Sequence, residues 1–180
     1  MKILTLLRHA KSSWDDPVAR DFDRPLNPRG RRAARTVGRE ICRQGLIYDL
    51  VLASPARRVI ETLAEVSEAC PMPAPTFDKR IYLASTATLI DIVKETADSV
   101  ERLLLVGHNP GLESLAMAMA AADGGALRLE LEQKYPTGTL AEIRFDIEHW
   151  AEVDEGIGTL VRFIRPRDLD PELGPDEDSF

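Results

Sequence analysis

A three-layer α/β/α sandwich with a largely parallel central sheet is the fold class this sequence predicts. Three observations carry that prediction. Short apolar runs alternate with helical stripes, each run is followed by a helix-start signal, and 180 residues with 44% apolar content suit one domain. A chain of this size can bury roughly 70% of its unfolded surface, so the core needs no disulfide or metal staple. We assign residues 1–167 to a single domain and 168–180 to an acidic tail.

The runs Ile3-Leu4-Thr5-Leu6-Leu7, Leu50-Val51-Leu52-Ala53 and Leu103-Leu104-Leu105-Val106 are continuously apolar, as expected of strands buried on both faces. After the first, Asn27-Pro28 is a cap followed by proline in the first turn, and it opens the stripe Ala33, Ala34, Val37, Ile41. After the second, Ser54-Pro55 repeats the signal ahead of Val59, Leu63 and Val66, and this helix should stop near Pro71. Ser85 or Thr86 caps a third helix carrying Leu89, Ile90, Val93 and Ala97. The turn 107–110 leads into a fourth with Leu112, Leu115, Ala116 and Met119, whose spacing marks core. Residues 139–147 and 159–164 alternate more and read as antiparallel strands near a sheet edge.

Composition narrows the function. The chain has 23 basic and 30 acidic residues, a net charge of −7, with the positive charge concentrated in residues 1–45 and the negative charge in 168–180. That balance argues against a nucleic-acid partner and leaves room for a locally cationic anion site. No apolar run approaches the roughly 20 residues needed to span a bilayer, which argues against membrane insertion. Neither Cys42 nor Cys70 belongs to a CxxC pair, and the start of the chain is too short for a signal-peptide core, so a soluble, reduced, cytoplasmic protein is expected. The sequence holds no HExxH, GxxxxGK[ST], GxGxxG or GxSxG pattern, so no metal or cofactor is expected.

In an open α/β sheet the ligand site lies beyond the carboxyl ends of the strands. Those ends carry Arg8-His9, then Ser54 with Arg57 and Arg58, then Gly107-His108-Asn109. If the three strands are neighbours, two imidazoles and at least two guanidiniums converge. Phosphoryl transfer asks for little more, because its transition state spreads negative charge over oxygens that fixed positive groups can hold. Nearby guanidiniums favour a neutral, nucleophilic histidine. Adjacent helical residues point about 100° apart, so Arg57 and Arg58 cannot serve equally. Ser54 reads first as the cap of the helix that follows and second as a phosphate contact, and Asn109 adds a donor.

Leu6-Leu7-Arg8-His9-Ala10-Lys11, Ser54-Pro55-Ala56-Arg57-Arg58-Val59-Ile60-Glu61-Thr62 and Val106-Gly107-His108-Asn109-Pro110-Gly111 resemble, in order and spacing, the histidine phosphatase superfamily. Lys11-Ser12-Ser13-Trp14, Asp23-Arg24-Pro25-Leu26, Thr137-Gly138 and 163–169 resemble its short branch, the phosphohistidine phosphatases. The resemblance implies a phosphoglycerate mutase-like fold. It also implies His9 as nucleophile, Arg8 and Arg58 as clamps on the phosphoryl oxygens, and His108 as a stabiliser of the transferring group.

Ester-cleaving members carry a carboxylic acid where this chain reads Arg80-Ile81-Tyr82-Leu83-Ala84-Ser85. Asp78, Asp91, Asp21, Asp23 and Glu113 are the remaining candidates. An alkoxide needs a proton to leave, whereas a phosphorylated imidazole departs as a neutral ring, so a histidine-phosphorylated protein is the expected substrate. The alternatives are a phosphomonoesterase or mutase-like enzyme on small phosphate esters, and a non-catalytic phosphate-recognition module.

Overall fold

The computed structural model describes residues 1–17 and 19–174. Its centre is a six-stranded sheet in the order β3-β2-β4-β1-β5-β6. Strands β1 (Lys2–Arg8), β2 (Leu50–Ala53), β3 (Thr76–Phe77) and β4 (Arg102–Gly107) run parallel, while β5 (Leu140–Phe145) and β6 (Thr159–Ile164) are antiparallel at one side. Helices α1 (Pro28–Arg43) and α2 (Arg57–Ala69) cover one face, and α3 (Thr86–Lys94), α4 (Gly111–Met119) and α5 (Gly125–Gln133) the other. A short α6 (Pro166–Leu169) follows β6.

The apolar strands owe their central place to burial on both sides. Along β4, Leu103 and Leu105 enter the core under α3 and α4, while Leu104 and Val106 enter the core under α1 and α2. All four are fully buried, each a gain of roughly 1.5–3 kcal/mol over exposure, which an edge strand would forfeit. Capping follows the expected chemistry at two helices. Asn27 Oδ1 accepts from the Gly30 amide at 2.7 Å and Ser85 Oγ accepts from Thr88 at 3.2 Å. Between them α2 departs from expectation, because Ser54 does not cap it. The N-cap is Ala56, and no side chain bonds the first turn.

Three further differences stand out. Helix α5 was not foreseen, since Gly125–Gln133 is amphipathic only weakly and buries only Leu131. Strand β3 is two exposed residues inside the Pro-rich connection. The expectation of reduced cysteines is corrected, because Cys42 and Cys70 are disulfide-bonded with their Cα atoms 5.4 Å apart. The cause is tertiary. Gly38 lets α1 approach α2 so closely that a Cβ there would lie 2.8 Å from the Val66 carbonyl oxygen, which brings the last turns of the two helices together. Spacing along the chain carries no trace of that contact.

The acidic segment assigned as a tail begins within α6. Arg32 on α1 pairs with Asp170 and with Glu172 at 2.7 Å, so 168–174 lies along α1. The rest of the assigned tail lies outside the described residues. None of the described helices is long and apolar enough to cross a membrane.

Candidate active site

The register of β2, β4 and β1 fixes where the site lies. Ala53 faces Val106, and Gly107 faces Arg8, so Ser54, His108 and His9 leave three adjacent strands at one level. Backbone bonds extend the pairing past the strand ends. His9 donates its amide to Gly107 at 3.1 Å, Ser54 donates to Val106 at 3.1 Å, and the Gly138 amide donates to the His9 carbonyl at 3.0 Å. These anchors hold the histidine backbones in place.

His9 is buried, and its Nδ1 lies 2.7 Å from the Ala10 carbonyl oxygen. A carbonyl accepts only, so the ring proton sits on Nδ1 and the Nε2 lone pair faces the site. Arg58, also buried, donates its Nε–H to that Nε2 at 3.3 Å and an Nη2–H to His108 Nδ1 at 3.2 Å. The proton of His108 is therefore on Nε2, which donates to Ser54 Oγ at 2.7 Å. The two imidazole centroids are 5.2 Å apart. Burial, and the charges of His108, Arg58 and Arg8, press the His9 value down to about 3, against a smaller upward pull from the Ala10 carbonyl. Burial and Arg58 do the same to His108, also to about 3, with Asp21 pulling upward. Both rings are neutral near pH 7, the state a nitrogen nucleophile needs.

Arg8 reaches the Tyr135 carbonyl with Nη1 at 2.9 Å, and its buried Nε–H has no acceptor among the described residues. Asn109 donates to the Tyr135 carbonyl at 3.0 Å and to Glu113 at 3.3 Å. Arg57 points outward and pairs with Glu61 at 3.6 Å. Ser54 is fully buried and turned toward His108 rather than to the cavity wall. Arg8, His9, Arg58, His108 and Asn109 all line one cavity of about 600 Å³.

Sequence reasoning kept Asp21 only as one of several acid candidates, and the structure puts it in the centre. Its Oδ2 accepts from Arg58 Nη2 at 3.0 Å and from the Tyr82 hydroxyl at 2.6 Å, while Oδ1 accepts from Arg24 at 2.9 Å. Burial alone would raise its value, but the bonds from Tyr82, Arg58 and Arg24 outweigh it and hold the carboxyl at about 2. No pattern in the sequence flags this, because Asp21 lies in a short turn (Asp21–Asp23) within a loop and its partners Arg58 and Tyr82 come from two distant segments. Of the other candidates, Asp78 is committed to Arg80, Asp23 to Arg20, and Asp91 is exposed. His149 pairs with Asp98 at 2.9 Å, away from the cavity.

The model of the histidine phosphatase superfamily (branch 1) matches residues 4–81. The uncharacterised protein Rv1276c of Mycobacterium tuberculosis is 37% identical over 163 residues, covering 89% of this chain and all of the relative. The chain belongs to the histidine phosphatase superfamily. Within this superfamily it is SixA-like. The SixA structure from Agrobacterium tumefaciens matches with 28% identity and a TM-score of 0.78, over 92% of this chain and 98% of that one. The protein histidine phosphatase SixA complexed with tungstate shares the fold at 20% identity, with a TM-score of 0.76 over 93% and 99% of the two chains. As a histidine phosphatase superfamily member, the protein is a hydrolase of phosphoryl groups.

Proposed function

We propose that the enzyme removes the phosphoryl group from phosphohistidine on a protein, without a metal, through a covalent intermediate on His9. One observation carries this reading: among the described residues the only carboxylate lining the cavity, Asp21, is held ionised by Arg58, Tyr82 and Arg24 and has no proton to give to a leaving alkoxide.

The chemistry follows from the atoms present. A phosphoryl group entering between the imidazoles takes over the Arg58 donors now given to His9 and His108, and Arg8 brings a second guanidinium to its oxygens. The His9 Nε2 lone pair forms a bond to phosphorus as the substrate P–N bond breaks. The electron pair of that bond leaves with the substrate imidazole, which carries a proton on its other nitrogen and departs neutral. Turning the Ser54 hydroxyl to donate to His108 Nε2 frees the His108 ring proton for Nδ1, aimed at a phosphoryl oxygen. Water then attacks phosphorus, sheds its proton to bulk solvent, and releases phosphate with Nε2 keeping its pair.

The test compares kcat/KM for a phosphohistidine protein and for a set of phosphomonoesters, with and without chelator. The reading expects the phosphohistidine protein to be favoured by at least about 10², the lower range for general-acid assistance that an ester would lack here, with no chelator effect. An alkaline quench during turnover should retain labelled phosphate on His9. Equal or better turnover of sugar phosphates would assign the enzyme to small esters, and stoichiometric binding without phosphate release would make it a recognition module.

A further inference from the structure

The cavity carries more positive charge than one phosphoryl group requires. Among the described residues, eight of its lining side chains are Lys or Arg, against the one carboxylate of Asp21, in a chain whose net charge is −7. Arg8 and Arg58 stand beside the histidines, and Arg24 is committed to Asp21 and to Ser12 Oγ. The other five, Lys11, Arg29, Lys134, Arg165 and Arg167, belong to a wall built from the loop after β1, the start of α1, the segment after α5, and α6 with its N-cap.

That wall is continuous. A Cβ on Gly30 would lie 2.1 Å from the Lys11 carbonyl oxygen, so the first turn of α1 is pressed onto Lys11. A Cβ on Gly138 would lie 2.8 Å from Pro166 Cγ, so the segment after α5 is pressed onto α6. Arg165 is already engaged by Asp168 and Glu130. Lys134 and Arg167 make neither a side-chain hydrogen bond nor a close ion pair among the described residues. The mouth of the cavity also holds two exposed apolar side chains, Trp14 at 74% and Leu83 at 55%.

We infer that this wall is a second anion subsite, which takes the carboxylate side chains flanking the phosphorylated residue of a protein substrate. It rests on the phosphohistidine reading above. The charges are spread over four segments and include two cations, Lys134 and Arg167, without a hydrogen-bonded or close ion-pair partner among the described residues, which suits dispersed carboxylates better than one compact second phosphate. The exposed Trp14 and Leu83 suit a polypeptide, whose backbone and aliphatic stems cover apolar rims.

Two phosphohistidine peptides of equal length, one with Glu on both sides of the phosphorylated residue and one with Gln, should be assayed on the wild type and on Lys134→Gln/Arg167→Gln. The wild type should favour the Glu peptide about tenfold in kcat/KM, chiefly through KM and less at high salt, and the ratio should fall near one in the double variant. Equal rates on the wild type, or a ratio unchanged in the variant, overturn the inference. Matching thermal unfolding curves check that the variant is folded. The unphosphorylated Glu peptide, titrated against Trp14 fluorescence, separates the two proposals. If neither phosphopeptide turns over, the phosphohistidine reading fails, while binding that the double variant loses still supports an acidic-peptide subsite and absent binding removes it.

Discussion

The Asp21 carboxylate holds the Arg58 guanidinium at 3.0 Å, with the Tyr82 hydroxyl on the same oxygen. An incoming phosphate therefore competes with an internal anion for the same buried cation. Asp21→Asn should tighten binding of inorganic phosphate by roughly tenfold, the scale of one charge-assisted hydrogen bond. Its kcat on a phosphohistidine substrate should change by less than about tenfold. A kcat loss of 10² or more would instead give Asp21 the proton-donating role, since that is the range over which general acids act.

The three histidines should separate cleanly in an NMR titration. His149 is exposed and bonded to Asp98, which raises its value, whereas His9 and His108 are held down to about 3. One imidazole should titrate above about 6.5 and two should stay neutral until strongly acid pH. The stability consequence has a definite sign. Between about pH 3 and 6.5 the unfolded chain binds protons at His9 and His108 that the folded chain refuses, so these groups make unfolding easier as pH falls through that window and have no effect above it. Urea midpoints at pH 7 and pH 5 should show the drop, and His9→Asn should shrink it.

Arg57 and Arg58 are neighbours in sequence with opposite surroundings, one paired with Glu61 at the surface and one buried between two imidazoles. Arg58→Ala should cost about 10²–10³ in kcat, as removal of a preorganised oxyanion donor does, while Arg57→Ala should stay within about twofold. His9→Ala should abolish turnover and the trapped phosphoenzyme together. Steady-state kinetics on the three variants decides the assignment.

The Cys42–Cys70 bridge closes a loop with a sequence separation of 28, which by chain-entropy reasoning stabilises the fold by about 3–4 kcal/mol. It joins the far ends of α1 and α2, whose first turns face the site. Cys42→Ser, or reduction, should lower Tm by several degrees and leave kcat unchanged. A fall in kcat at a temperature well below Tm would show that the two ends of these helices are coupled.

What could be read from the chain follows the reach of each signal. The doubly buried strands, the Asn27 cap and the inequality of Arg57 and Arg58 are set within a few residues, so apolar runs, a capping pair and helical geometry disclose them, while the choice of Arg58 comes from the family resemblance. The strand-end histidines were legible because a parallel sheet exposes its carboxyl ends as a row. Asp21 was not, since its role depends on Tyr82 and Arg58 arriving from elsewhere. The cationic wall was equally silent, because Lys134 and Arg167 reach the same cavity from segments that are 33 residues apart in the chain and that only tertiary packing brings together. Ser54 was misread as the cap, since Ala56 holds that position and the Ser54 hydroxyl, while accepting from the Ala56 amide at 3.3 Å, pairs with His108 across 54 residues.

Strand β4 lies between β2 and β1, and its pairing sets the height at which one imidazole meets the other. Adding or deleting a single residue inside Arg102–Gly107 would turn His108 to the opposite side of the sheet and leave a phosphate with half its cradle. Surface loops can lengthen or shorten over generations without such a penalty. This hidden strand cannot, and a reader searching for the least negotiable stretch of the protein should look there before looking at the residues that touch phosphorus.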